Sequence, residues 1–361
     1  MSDVALAPEI EALRAAAERL AGRELGPNVR RAEGEGRWPA PVLAVLEGFP
    51  LGGLDLPSRL GGVDAGCLAK VVVLETLAAA DAGGLPAADQ PGRASGAVLA
   101  CPDRGTAEQV ATSCLAGTAQ GALVVVDPDN GAETSPVRVE WAPAWPPLRW
   151  AWVSKGDRLR LVEVPNEPEL APALAFQASG GVSVAGGTGA DALPVVGDWQ
   201  LAPGGGLAVR GRARLWAAAV AVGIAQAAFD ATVAYTVERV VFGKPVAHHQ
   251  GNAFALAAAA AGVHGARLVV RDAATAFDEG DEHAGFWATQ AWLETMDAAF
   301  VATDLGIQLL GGHGFLVDHL AEKRFREARM LALLAGGRDA ADADVADCVL
   351  DVPDPLFSAQ E

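Results

Sequence analysis

The 361-residue sequence predicts a mainly helical α+β chain in which two helical blocks flank a small β segment. Apolar residues recur at helical spacing toward both ends. Between about Ala111 and Gly205 helix starts are scarce, and Pro- and Gly-rich turns separate short β-branched runs. Hydrophobic residues make up 51 % and charged residues only 20 %, enough to bury a large core spread over two or three domains of about 100 to 200 residues each. The division that follows is an N-terminal helical domain over 1–112, a middle β domain over 113–205, a C-terminal four-helix bundle over 206–350 and a tail over 351–361.

Pro8 to Leu25 reads as a helix that opens on a proline, which needs no backbone donor there, with Ile10, Leu13, Ala17, Leu20 and Ala21 toward one face. Leu51 to Gly62 is punctuated by glycines, and Val71 to Asp81 is helical again. In the middle, Leu123 to Val126, Arg158 to Val164, Val182 to Ala185 and Leu193 to Val196 are strand candidates. Turns at Asp127-Pro128-Asp129-Asn130-Gly131, Pro165-Asn166-Glu167-Pro168 and Gly186-Gly187-Thr188-Gly189 part them, and a small barrel or sandwich is expected. After Gly204-Gly205-Gly206, helices are expected over Arg214 to Val241, His249 to Phe277, Glu282 to Leu310 and Asp318 to Leu334, together a bundle. The Ala/Asp-rich stretch Asp339 to Asp347 reads as a solvated helix or linker.

Charge excludes one class of partner. A formal net charge of -18 argues against direct nucleic-acid binding, which needs a basic face to neutralise phosphates. Arg324, Arg326 and Arg329 form a local basic cluster, either a solvated helix face or a seat for ligand phosphates. The cysteines, Cys67, Cys101, Cys114 and Cys348, lie far apart with no C-x-x-C, so neither a zinc site nor a disulfide framework is expected and a reducing cytoplasm fits. His248 and His249 are adjacent and His313 is isolated; none has the spacing of a metal site. The first residues show no leader pattern, and the longest apolar run, Ala253 to Val263, falls short of the ~18 residues of a membrane span, so a cytoplasmic chain with no membrane association is expected.

Two motifs carry chemistry. Glu238-Arg239-Val240-Val241-Phe242-Gly243-Lys244-Pro245, followed by Gln250, resembles the E-R-x-x-F-G-x-P pattern of the acyl-CoA dehydrogenase family. Gln308-Leu309-Leu310-Gly311-Gly312-His313-Gly314 is similar to that family's Q-x-x-G-G-x-G, and Gly223-Ile224-Ala225-Gln226 stands in the helix before both. Taken singly, an Arg beside a Phe at a helix end is usually a surface cap, and Gly-Gly between helices is usually a turn. Their order and spacing make the resemblance specific. Arginine can fork onto a pyrophosphate, and paired glycines let backbone amides approach a nucleotide. Toward the N-terminus, Leu51 to Gly62 resembles the family's G-L-x-G-L-x-V-P-x-x-Y-G-G.

The resemblance implies an N-terminal helical domain, a middle β domain and a C-terminal four-helix bundle, with FAD as cofactor and α,β-dehydrogenation of a CoA thioester as the reaction. It implies that Arg239, Phe242, Gln308, Gly311 and Gly312 act across a subunit interface on the adenosine and pyrophosphate of a neighbour's FAD. The family's isoalloxazine segment T-E-P-x-x-G-S-D has no counterpart here, although Trp152-Val153-Ser154 superficially matches its W-x-[S/T] contact. Aromatic residues in strands more often serve the core.

The family's base is a glutamate that takes the substrate α-proton while hydride leaves for the flavin, and alanine has no atom that can accept a proton. The resemblance puts that glutamate at Ala335, or in some members at Ala213 within Gly211-Arg212-Ala213-Arg214-Leu215, so no catalytic residue is expected at either position. Glu327, about two turns before Ala335 on a continuous helix, is a poor substitute by reach. The resemblance thus implies the base-lacking subunit of a heteromeric α2β2 enzyme whose partner supplies the glutamate, with electron-transfer flavoprotein as acceptor. A homomeric flavoprotein with different chemistry and a flavin-free structural or regulatory partner are the alternatives.

Overall fold

The computed structural model describes residues 6–118, 120–125, 138–142, 148–164, 169–170, 174–179, 182–185 and 193–351. Helices α1 (Pro8–Leu20), α2 (Val29–Glu35), α3 (Ala40–Glu47), α4 (Cys67–Ala80), α5 (Leu85–Ala88), α6 (Gln90–Gly96) and α7 (Gly105–Leu115) form the first block. Strands β1 (Gly121–Val125), β2 (Arg138–Ala142), β3 (Trp150–Lys155), β4 (Arg158–Glu163), β5 (Glu169–Leu170), β6 (Val182–Ala185) and β7 (Val195–Gln200) follow. The second block holds α8 (Gly205–Glu238), a hairpin of β8 (Val240–Val241) and β9 (Lys244–Pro245), then α9 (Gln250–Glu279), α10 (Ala284–Leu310), α11 (Ala321–Leu331) and α12 (Gly337–Asp351). The mainly helical α+β reading therefore holds.

The strands make two sheets, ordered β1-β3-β4-β7 and β2-β6-β5. In the first, β1 runs parallel to β3 and the remaining pairs are antiparallel, with Trp152 opposite Leu161. One face buries Trp152, Leu159 and Leu161 against Ala97, Val98 and Ala111 of the first helical block. The strands β2 and β3 were not among the expected spans. Arg138–Ala142 is only five residues long and Trp150–Lys155 opens on two tryptophans around an alanine, so neither offers a β-branched run. Val126, the three turns expected between strands and the tail from residue 352 onward lie outside the described residues.

Helix α8 is the spine. It packs against α4, α9, α10 and α11, and Leu215 to Val222 are all 1 % exposed or less. Two glycines set its crossings. A Cβ at Gly223 would stand 2.3 Å from the Glu75 carbonyl oxygen on α4, and one at Gly211 would stand 2.6 Å from the Gly285 Cα on α10. Arg267 of α9 donates from Nε to Glu75 at 2.6 Å, tying a third helix to the α4 and α8 contact.

The helix begins earlier than expected because Gly204 to Gly206 is not a free linker. Gly204 caps it at φ 79°, and a Cβ at Gly206 would lie 1.8 Å from the Gly156 carbonyl oxygen at the β3–β4 turn. The last expected helix, Asp318 to Leu334, is shorter in the structure, beginning at Ala321. It ends at Leu331, a turn follows, and Asp339 to Asp347 belongs to α12, which buries Ala340 and Ala341. That stretch is not a simple solvated face, because Asp344 pairs with both Arg210 and Arg214 of α8.

Among the described residues, two helices, α8 and α9, are long and apolar enough to cross a membrane. The apolar window of α8 is 61 % buried in the fold, whereas that of α9 is 28 % buried. Helix α9 thus presents an apolar face outward, including Phe254, Leu268 and Val269.

Replacing Gly223 with valine is expected to lower stability by about 1–3 kcal/mol, because α4 must move away from α8. Urea unfolding of the Gly223→Val variant checks this.

Candidate functional site

The two positions expected to hold a base flank one region of α8. Ala213 lines a cavity of about 160 Å³ between α6, β1, α8 and α9. Its wall includes Arg93, Leu123, Arg212, Trp216 and Phe277, and no carboxylate lines it among the described residues. Ala335 sits in the turn between α11 and α12 at φ 56°, a left-handed conformation that costs a non-glycine residue about 1–2 kcal/mol. Gly336 and Gly337 beside it are also left-handed, at φ 96° and 79°. A Cβ on Gly336 would meet Val125 of β1 at 3.1 Å and the Arg214 Nη2 at 3.7 Å.

Arg214 is wholly buried, donates from Nη1 to Thr289 Oγ1 at 3.1 Å and pairs with Asp344 at 2.5 Å. Its Nε and Nη2 have no partner among the described residues. Burial pushes the Arg214 guanidinium below its ordinary value despite Asp344. Burial would raise Asp344, yet hydrogen bonding and charge from Arg210 and Arg214 hold its carboxyl below the ordinary range. An arginine edge with donors to spare therefore faces the turn that carries Ala335.

Glu327 does not fill that place. Helix α11 ends at Leu331, and Glu327 is 2 % exposed and pairs at 2.5 Å with Lys323, which also reaches Asp81 at 2.8 Å. Asp81 in turn accepts from Trp38 Nε1 at 2.9 Å, so this is a strut between the N-terminal block and α11. Burial pushes the Glu327 carboxyl up from 4.5 to about 7, against the pull of Lys323. The three arginines of the basic cluster diverge. Arg326 pairs with Glu33 and Glu322, Arg329 lies 4.4 Å over the Phe300 ring, and Arg324 lines a separate cavity of about 70 Å³ with Tyr235 and His319.

The remaining site residues gather at the far end of α8. Arg239 follows the last turn of that helix, and β8 and β9 form a two-residue hairpin whose tip is Phe242 and Gly243, at φ 52° and 80°. Such a turn needs both central residues left-handed and usually carries Asn-Gly. Here the first is a phenylalanine that is 95 % exposed. No burial within the chain offsets that strain. Tyr235, one turn before Arg239, places its hydroxyl 3.1 Å from His313 Nδ1, joining the hairpin end of α8 to the Gly-Gly turn after α10. Gln308, Gly311 and Gly312 are exposed there, and a Cβ on either glycine would meet nothing within 4 Å. Arg239 makes no side-chain hydrogen bond or ion pair among the described residues, so the guanidinium, ring and open glycine backbone are available to a ligand outside the chain. These residues fit the adenosine and pyrophosphate half of FAD.

Among the described residues, the candidate contact for the isoalloxazine half lies inside the small sheet. Trp152 is fully buried and stacks on Trp199 with centroids 5.8 Å apart, and Ser154 is fully buried as well. The residues that match the family's W-x-[S/T] contact are thus buried, with Trp152 Nε1 and Ser154 Oγ unpartnered among the described residues.

Sequence reasoning missed Tyr235, the chain's single tyrosine, and a buried charge cluster beside the first cavity. In that cluster Lys70 pairs with Asp55 at 3.0 Å and Asp89 at 2.7 Å, Arg93 with Asp89 at 3.0 Å, and Arg212 with Asp55 at 2.7 Å. The spacing of Asp89 and Arg93, one helical turn apart, was the available signal.

A central buried helix and a small sheet thus carry an exposed end where Arg239, Phe242 and the Gly311-Gly312 turn stand open. Comparison with known proteins identifies the family. The family description "Acyl-CoA dehydrogenase, C-terminal domain" matches residues 210–349, and "Acyl-CoA dehydrogenase, N-terminal domain" matches 7–112. The chain belongs to the acyl-CoA dehydrogenase family, and membership implies FAD. It is 27 % identical to the probable acyl-CoA dehydrogenase fadE25 of Mycobacterium leprae, over 92 % of each chain. It is 38 % identical to the cyclohex-1-ene-1-carbonyl-CoA dehydrogenase of Geobacter metallireducens over 123 residues, which span 34 % of this chain and only 32 % of that relative. The fold of butyryl-CoA dehydrogenase from Megasphaera elsdenii matches with a TM-score of 0.77 at 19 % identity, covering 97 % of this chain and 100 % of that one.

Two consequences are measurable. Phe242→Asn keeps the turn and relieves its strain, so the chain's own stability to urea should stay level or rise by about 1 kcal/mol. For Glu327, the folded pKa of about 7 lies above 4.5, so its contribution is fully present below 4.5 and is lost as pH climbs toward about 7. The stability of wild type minus that of Glu327→Gln should therefore fall across that window, as read by denaturant unfolding at stepped pH.

Proposed function

We propose that this chain is the base-lacking subunit of a hetero-oligomeric acyl-CoA dehydrogenase, assembled as α2β2 with a partner that carries the catalytic glutamate. The observation that carries the reading is the absence of a carboxylate along the 160 Å³ cavity, with Ala213 on its wall and Ala335 beside the unpaired edge of Arg214. No described group there can take an α-proton. In the assembly, bound FAD supplies the hydride acceptor. This chain's part is to hold it: Arg239 forks onto the pyrophosphate, Phe242 packs against the partner's nucleotide site, and Gln308 with the amides at Gly311 and Gly312 orients the adenosine half. The strained and exposed Phe242 supports this, since its conformation is maintained with no return inside the chain. The outward apolar face of α9 gives the partner a surface to cover. The acyl-CoA substrate is bound on the partner, electron-transfer flavoprotein is the acceptor, and the complex works in the cytoplasm.

Co-expression with a candidate catalytic chain tests this. The assembly should carry FAD and dehydrogenate an acyl-CoA, and Arg239→Ala in this chain should weaken FAD retention about tenfold or more, the loss of a charge-assisted contact. Flavin and activity in this chain expressed alone would instead establish a homomeric flavoprotein. An assembly that never holds flavin would leave a structural or regulatory partner.

A further inference from the structure

Of the three arginines that cluster in the sequence, two are occupied. Arg326 pairs with Glu33 and Glu322, and Arg329 lies over the Phe300 ring. Arg324 is different. It is half-buried and lines the cavity of about 70 Å³ between the C-terminal ends of α8 and α10 and the start of α11. Its side chain makes no hydrogen bond or ion pair among the described residues. The carboxylates whose charge reaches it are Glu327 and Asp230. Both are engaged elsewhere: Glu327 is paired with Lys323, and Asp230 accepts from Gln226 Nε2 at 2.8 Å. Burial accordingly holds the Arg324 guanidinium below its ordinary value. His319 lines the same cavity, its ring centroid 6.3 Å from that of Tyr235 and 5.5 Å from that of His313. Its imidazole makes no hydrogen bond among the described residues.

Charge and size together define the occupant. Paired imidazoles can hold a transition metal. Here a guanidinium shares their cavity and no carboxylate lines it among the described residues, where no three His, Cys, Asp or Glu side chains gather for a metal. An anion suits these donors better. A guanidinium withdrawn from water with no acceptor is costly, and an anion that accepts from it removes that cost. At about 15 Å³ for one water, the cavity has room for about five, the size of a tetrahedral oxyanion. We propose that this cavity binds a phosphate group, held by the Arg324 guanidinium and an N–H of His319, with Tyr235 at its wall. The group comes either from inorganic phosphate or from a phosphomonoester. The site uses none of Arg239, Phe242, Gln308, Gly311 and Gly312, so it stands or falls apart from the proposed assembly.

Titration calorimetry on the full-length chain without flavin tests it, with inorganic phosphate, adenosine 5′-monophosphate as the phosphomonoester and Zn²⁺ as the competing cation. Saturable phosphate binding is expected, at least tenfold weaker for Arg324→Gln, with Arg324→Lys recovering part of the affinity. His319→Phe, which keeps a ring in place but removes its N–H, should also weaken it. Ala231 lines the cavity from an exposed position. Ala231→Leu narrows the mouth without touching the charges and should lower the affinity at least tenfold, and it decides the matter alone if Arg324→Gln does not fold. Binding of the monophosphate with the same dependence, and none of inorganic phosphate, assigns the group to a phosphomonoester. The proposal is overturned if neither phosphate binds, if folded Arg324→Gln binds as tightly as wild type, or if Ala231→Leu leaves binding intact. Zn²⁺ binding that is lost in His319→Phe, with no binding of either phosphate, would overturn it in favour of a metal site.

Discussion

Both ends of this protein depend on how closely the middle of α8 approaches α4. Gly223 lets the helices meet at backbone distance, and Glu75 on the same contact receives Arg267 from α9. A helix buried so completely acts as a rigid bar. Its N-terminal half sets Ala213, Arg210, Arg212 and Arg214 against the cavity and α12, and its C-terminal end sets Tyr235, Arg239 and the hairpin against the Gly-Gly turn. A shift at the crossing would move both at once.

The two ends differ in how well they are satisfied. Near Ala335, Arg214 retains two unpartnered nitrogens in a fully buried setting, although Asp344 from α12 engages its other edge. The neighbouring cavity is bordered by a cluster in which three cations and two carboxylates are matched nearly group for group. Such pairs are neutral or unfavourable for stability against apolar packing, so they fit a role in shape or binding better than a role in stability. At the hairpin, the mismatch runs outward instead. There a phenylalanine stands 95 % exposed in a left-handed turn that only the backbone pairing of β8 and β9 holds among the described residues.

Much of the fold was legible because its signals are local. The glycine and motif pattern around Gly223 to Gln226, the Phe242-Gly243 turn and the Gly311-Gly312 turn each announce a backbone requirement in the residues themselves. The errors came where long-range contact decides. The first helix of the bundle is expected only from Arg214, but it starts at Gly205 because Gly206 clears the carbonyl of Gly156. Asp339 to Asp347 reads as solvated because its acidic character is local, while the arginines that claim Asp344 stand far away in the chain on α8. The core role favoured for Trp152 holds, although its stacking on Trp199 depends on the register of β4 with β7, which no single strand reveals. The Lys70 cluster assembles from four separate segments and had only the Asp89 and Arg93 spacing to give it away.

In the assembly we propose, this chain completes a flavin site that belongs to another subunit. The number of FAD molecules per chain in the intact assembly tests it most directly, by native mass spectrometry with the flavin absorbance as a second count. The account predicts one flavin for each pair of unlike chains and none on this chain by itself. One flavin for every chain, or flavin on this chain alone, would contradict it.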